Sequence, residues 1–216
     1  MRVSDADLRE MERRFRETGS VEDEAAWLLE RVRAGELEQN RLDLAACLGH
    51  EASGGGAPAS EDAPNHLEML KALRLAGTET VARAAVGAAR RVLHYWTEAY
   101  PTDTRPESAI EAAENWILCQ CQTHLDRAEQ AALDVPRMVG SGGAALRPGW
   151  AARTAFYTAL IGAGRAGEAV SEALETGLSS EEVCQVVGRE LIPWALGYSD
   201  PVRERVEARQ REAAGE

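Results

Sequence analysis

Residues 78–101, TETVARAAVGAARRVLHYWTEAYP, decide the fold class. Val81, Ala85, Ala88, Ala89, Val92 and Trp96 recur at helical spacing and share one side of a helix. Arg83, Arg90, His94 and Thr97 gather on the opposite side, so the stretch reads as one long amphipathic helix starting at Thr78 or Thr80. Tyr100-Pro101 ends it, because proline lacks an amide hydrogen and pushes the preceding residue out of the helical region.

The same pattern extends in both directions. Downstream, residues 103–107 (DTRPE) open a second helix that should run toward Leu133, with Ile110, Ala113, Ile117, Cys121 and Leu125 on its buried face. Asp103 or Thr104 can cap it, and Pro106 suits a first turn. Three more helices are expected at about 150–162, 165–176 and 180–195, the last with a capping box from Ser179 and Glu182. Pro201 begins a polar terminal helix expected to fray at its end. Upstream, residues 1–50 read as three short helices, with Ser20 and Asp23 at capping positions and Gly35 and Gly49 as stops. A short helix is expected from His66 to Leu75. Alanine, leucine, glutamate and arginine dominate, and these side chains lose little rotamer freedom in a helix. No stretch alternates like a strand. The expectation is an all-α fold of stacked helical hairpins or a multi-helix bundle, with HEAT-like stacking as one form. Residues 1–50 would form a small N-terminal subdomain, 51–64 (EASGGGAPASEDAP) a flexible linker, and 65–216 the main domain.

Charge narrows the function classes. The chain carries 36 acidic against 24 basic residues, a net charge of −12, which disfavours nucleic acid and suits a basic protein partner. General acidity for solubility explains the same number without a partner. Lys71 is the single lysine, a bias in keeping with GC-rich bacterial coding. The charged start MRVSDADLREMERRF has no secretory apolar region, and no run reaches the length of a membrane span, so the cytoplasm is expected and a membrane partner is not.

Chemistry-bearing groups are sparse. Cys119, Cys121 and His124 form the most suggestive cluster, with His94 nearby in sequence. On one continuous helix, however, residues two apart point about 200° away from each other. Cys119 and Cys121 should then be unable to share a metal, leaving a buried Cys121 beside a hydrogen-bonded His124 as the simpler account. GSGG at 140–143 lacks the spacing of a phosphate loop and reads as a turn. His50 and His66 flank the flexible segment, where a precise base is hard to hold. No catalytic residue, metal or cofactor is therefore expected. Glu107, Glu111 and Glu114 fall at i, i+4, i+7, an acidic ridge beginning just after Asp103. It could serve the positive end of the helix dipole or meet a basic partner. Trp27 and Trp116, at stripe edges, could be core residues or exposed interface anchors.

Residues 88–116, AARRVLHYWTEAYPTDTRPESAIEAAENW, resemble a family of bacterial immunity proteins. The resembling features are an alanine-rich helix, a P-x-D-x-R-P turn at Pro101, Asp103, Arg105 and Pro106, and then Ala109 to Ala112 and Trp116. The phrase ETGSVEDEAAWLLERVRAGEL, near the start, is similar to the openings of myxobacterial proteins. The resemblance implies a helical protein that binds and neutralises a cognate toxin. The acidic ridge then makes Asp103, Glu107, Glu111 and Glu114, with Trp116 as an anchor, the expected partner-binding residues. A helical scaffold or adaptor without a toxin is the alternative, and neither reading is an enzyme.

Overall fold

The computed structural model describes residues 5–54, 66–136 and 146–215. Among them every regular element is helical: α1 (Asp5–Thr18), α2 (Val21–Ala34), α3 (Gln39–Cys47), a 3₁₀ turn (Glu51–Ser53), α4 (His66–Leu75), α5 (Thr78–Val92), α6 (His94–Ala99), α7 (Arg105–Cys119), α8 (Gln122–Asp134), α9 (Arg147–Ala159), α10 (Glu168–Glu175), α11 (Ser180–Leu196) and α12 (Pro201–Ala214). The fold is all-α, a multi-helix bundle. No described helix is long and apolar enough to cross a membrane. The GSGG stretch and most of the 51–64 segment lie outside the described residues.

Local chemistry places most boundaries. Ser20 accepts the Asp23 amide at the start of α2, and Gly35, at φ 80°, closes that helix in the left-handed region. Ser179 and Glu182 form the full capping box at the start of α11. Asp200 caps α12 by accepting the amides of Val202 and Arg203.

Helix α5 is the axis of the bundle and packs against α4, α6, α7, α9, α10 and α11. Its small residues are buried all round, including Ala82, Ala84, Ala85, Val86, Ala88, Ala89 and Val92. The expectation of a solvent face bearing Arg83 fails here, because Arg83 is only 2% exposed. Its guanidinium reaches Glu79 on its own helix and both carboxylate oxygens of Asp200 at 2.7 and 3.0 Å. Helix α11 crosses α5 at Gly87, where an added Cβ would lie 3.1 Å from the Glu190 Cβ. Glycine is used there for closeness of approach.

The N-terminal helices enclose a second apolar cluster of Trp27, Leu28, Leu37, Leu42, Ala45 and Ala52. That cluster is completed by Leu196 of α11, which is fully buried. Arg31 adds a 2.6 Å hydrogen bond to the Leu196 carbonyl. Trp27 is a core residue and not an exposed anchor, being 8% exposed and stacked between Phe15 and Tyr198 at centroid distances of 5.6 and 5.9 Å. Leu196→Ala should therefore destabilise the whole chain by about 2–5 kcal/mol. In urea, far-UV circular dichroism and tryptophan fluorescence should report one coincident transition. Two separated transitions would show the N-terminal helices folding on their own.

Candidate functional site

The carboxylates of the expected acidic ridge are already engaged within the molecule. Helix α7 starts where Asp103 Oδ1 accepts the Arg105 amide at 3.2 Å, and the Asp103 carboxylate also takes the Arg105 guanidinium at 2.9 and 2.6 Å. The Arg105 hydrogen bonds hold the Asp103 carboxyl below its usual range. The Trp96 indole donates to the Asp103 carbonyl at 2.8 Å and ties this turn to α6.

One helical face then carries Glu107, Glu111 and Glu114 inward in sequence. Glu107 is 3.4 Å from Arg90 and Glu111 is 3.4 Å from Arg209. Glu114 is fully buried and meets three guanidinium groups: Arg90 at 2.8 Å, Arg205 at 2.7 Å and Arg209 at 2.5 Å. Arg205 also grips Glu190 with two bonds, at 2.6 and 3.1 Å. The network thus joins α5, α7, α11 and α12. Burial alone would push the Glu114 carboxyl up, but hydrogen bonds and charge from Arg90 and Arg205 hold it below the ordinary carboxylate range. Glu114 cannot touch a partner, and the ridge is an internal ion-pair lattice for half its length. Trp116 is likewise 8% exposed, so it is no projecting anchor. The terminal helix α12 is anchored along its inner side, with Val202 and Val206 buried and Arg205 and Arg209 bonded inside, while residues 210–215 are exposed.

Beside α3 and α5 the surface opens into a cleft of about 700 Å³. Glu38, Asn40 and Arg41 line one side, Gly77, Thr78 and Glu79 another, and Trp116, Gln120 and Trp194 contribute as well. The half-buried Trp194 ring has the guanidinium carbons of Arg41 and Arg83 each 4.5 Å from its centroid. Gln120 donates to Glu79 at 2.8 Å across this wall. None of these cleft residues except Trp116 was singled out from sequence as part of a site. They come from segments far apart in the chain, and only packing gathers them.

The second surprise lies at the end of α7. The expected helix to Leu133 stops at Cys119, because Gln120 takes the left-handed conformation at φ 51°. It is the single non-glycine with positive φ among the described residues. Helix α8 then starts at Gln122 with Cys121 as its N-cap. The argument that Cys119 and Cys121 face apart assumed one helix and does not survive the break. No protein-family model, curated protein or solved structure matches the chain.

The ion-pair lattice carries a stability prediction. Glu114→Gln leaves three guanidinium groups short of a charge and should cost about 3–5 kcal/mol, whereas Glu107→Gln, at a 40% exposed side chain, should cost less than about 1 kcal/mol. Because the Glu114 value is depressed in the fold, its contribution is complete above the unfolded value near pH 4.3 and is lost as pH falls through the folded one. Urea unfolding between pH 6 and pH 3 should show the wild type losing stability more steeply than Glu114→Gln. Parallel curves would remove Glu114 as the source.

Proposed function

We propose that this chain is a binding protein that neutralises a cognate basic protein toxin by covering its working surface. The distribution of charge is the observation that carries the reading. The internal lattice sets Arg90, Arg205 and Arg209 against Glu107, Glu111, Glu114 and Glu190. It absorbs only one of the twelve surplus negative charges, so nearly all of the surplus lies elsewhere on the chain. Such a field accelerates encounter with a basic protein and suppresses acidic competitors. The resemblance of residues 88–116 to bacterial immunity proteins supports the same reading.

The contact surface shifts from the ridge to the cleft. Exposed Glu38 offers a carboxylate there, whereas the Glu79 carboxylate already takes Arg83 and Gln120 and the Trp194 ring already carries Arg41 and Arg83. A basic side chain of the partner would find the Glu38 charge in the cleft. Asp103, Glu107 and Glu111 contribute at most a weak outer field, since their charges are shared with arginines.

The test is growth rescue. The product of the neighbouring gene, expressed in a naive host, should arrest growth, and this chain should restore it. Glu38→Lys should weaken binding to that product by about tenfold or more, with most of the loss in association rate at low salt, while helicity is unchanged. Rescue that is indifferent to Glu38→Lys would move the contact away from the cleft. A harmless neighbour, together with stable self-association in sedimentation, would favour an adaptor.

A further inference from the structure

Three soft donors are brought together where α7 meets α8. The Sγ atoms of Cys119 and Cys121 and a ring nitrogen of His124 all lie within 4.8 Å of one another. Cys121 Sγ and His124 Nδ1 are 3.2 Å apart. With zinc–sulfur bonds of about 2.3 Å and zinc–nitrogen bonds of about 2.0 Å, tetrahedral ligand atoms stand about 3.5–3.8 Å apart. The observed set is within about 1 Å of that spacing, a difference that side-chain rotation can close. We propose that Cys119, Cys121 and His124 bind one zinc-class divalent cation, leaving the fourth tetrahedral position open to water or an outside ligand.

The backbone makes this arrangement in a way a continuous helix could not. Gln120 reverses the chain after Cys119, and its amide bonds the Trp116 carbonyl at 2.6 Å. Cys121 then sits at the N-cap of a 13-residue helix and His124 one turn on, which places both on the side where α8 begins. Two soft sulfurs and an imidazole favour zinc over magnesium or calcium, which prefer oxygen. On binding, each thiol gives its proton to solvent and a lone pair to the cation, so affinity must fall as pH falls. The cysteines are exposed and half-buried, so the cation needs no opening of the fold to reach them. Gln120 lines the cleft between these two ligands, so the cation would stiffen one wall of it. This site does not depend on the identity of the protein partner.

The test uses the full reduced chain under anaerobic conditions, titrated with Zn²⁺ against a chromogenic chelator and with Co²⁺ alone. One equivalent should bind, and Co²⁺ should give sulfur-to-metal charge transfer with the visible bands of a tetrahedral site. Cys119→Ser, Cys121→Ser and His124→Ala should each weaken Zn²⁺ by about tenfold or more, with unchanged circular dichroism in the metal-free state. The double variant Cys47→Ser/Cys184→Ser should bind as the wild type does. Absence of stoichiometric binding overturns the proposal, as does affinity retained when all three ligands are replaced or lost in the Cys47/Cys184 variant. Uptake of Cu⁺ without Zn²⁺ overturns it too, and so does a Cys119–Cys121 disulfide forming in place of metal binding, seen as a 2 Da mass loss.

Discussion

A single buried carboxylate, Glu114, organises this bundle. Taking an ion of that size out of water costs several kcal/mol even after relaxation, and one counter-ion seldom offsets it. Here three guanidinium groups surround it, from α5 and α12, and Arg205 passes the connection on to Glu190 of α11. Four helices are thereby held in one relative placement. The glycine at position 87 is part of the same constraint, since it lets α11 approach closely enough for Glu190 to sit over α5. The arginine bias, read from sequence as a coding signature, has a physical use in this lattice. Arg205 bonds Glu190 with two nitrogens and Glu114 with a third. A lysine, carrying one compact charge, could not join two carboxylates in that geometry.

The lattice also decides what the outside of the molecule looks like. Carboxylates that periodicity lines up on one helix face are drawn inward by arginines from other helices. What looked like a docking ridge becomes cement, and the cleft beside α3 and α5 becomes the open polar surface. Its floor repeats the theme on a smaller scale, with Arg83 bridging Glu79 and Asp200 beneath the Trp194 ring.

Most of the fold was legible in the sequence, and the legible parts share a cause. Helix starts at Ser20 and Ser179 and the stop at Gly35 depend on atoms within a few residues of each other, so a linear reading reaches them. The same holds for α4, for the helices after residue 146 and for the all-α class. What was missed depends on partners distant in the chain. Arg83 looked solvent-facing because Asp200 lies 117 positions away. The terminal helix looked merely polar because its arginines find Glu114 more than 90 positions upstream. The i, i+4 spacing of Val202 with Val206, and of Arg205 with Arg209, was the available signal that this helix has an inner face. The cleft, assembled from separate segments, left no linear trace.

The break at Gln120 shows the same rule at its smallest scale. A non-glycine residue in the left-handed region costs roughly 1–2 kcal/mol, and nothing in the local sequence announces one. The conformation persists because tertiary contacts hold it. The side chain of Gln120 reaches Glu79 on α5, and α8 packs back against both α7 and α9, burying Ala128 and Ala132. Glycine would relieve the backbone but forfeit the bond to Glu79, so the strained residue is the one that links the turn to the cleft. That turn also juxtaposes Cys119, Cys121 and His124. One residue therefore couples the two chemically distinctive regions of the molecule, its side chain in the cleft wall and its backbone setting the cysteine–histidine cluster.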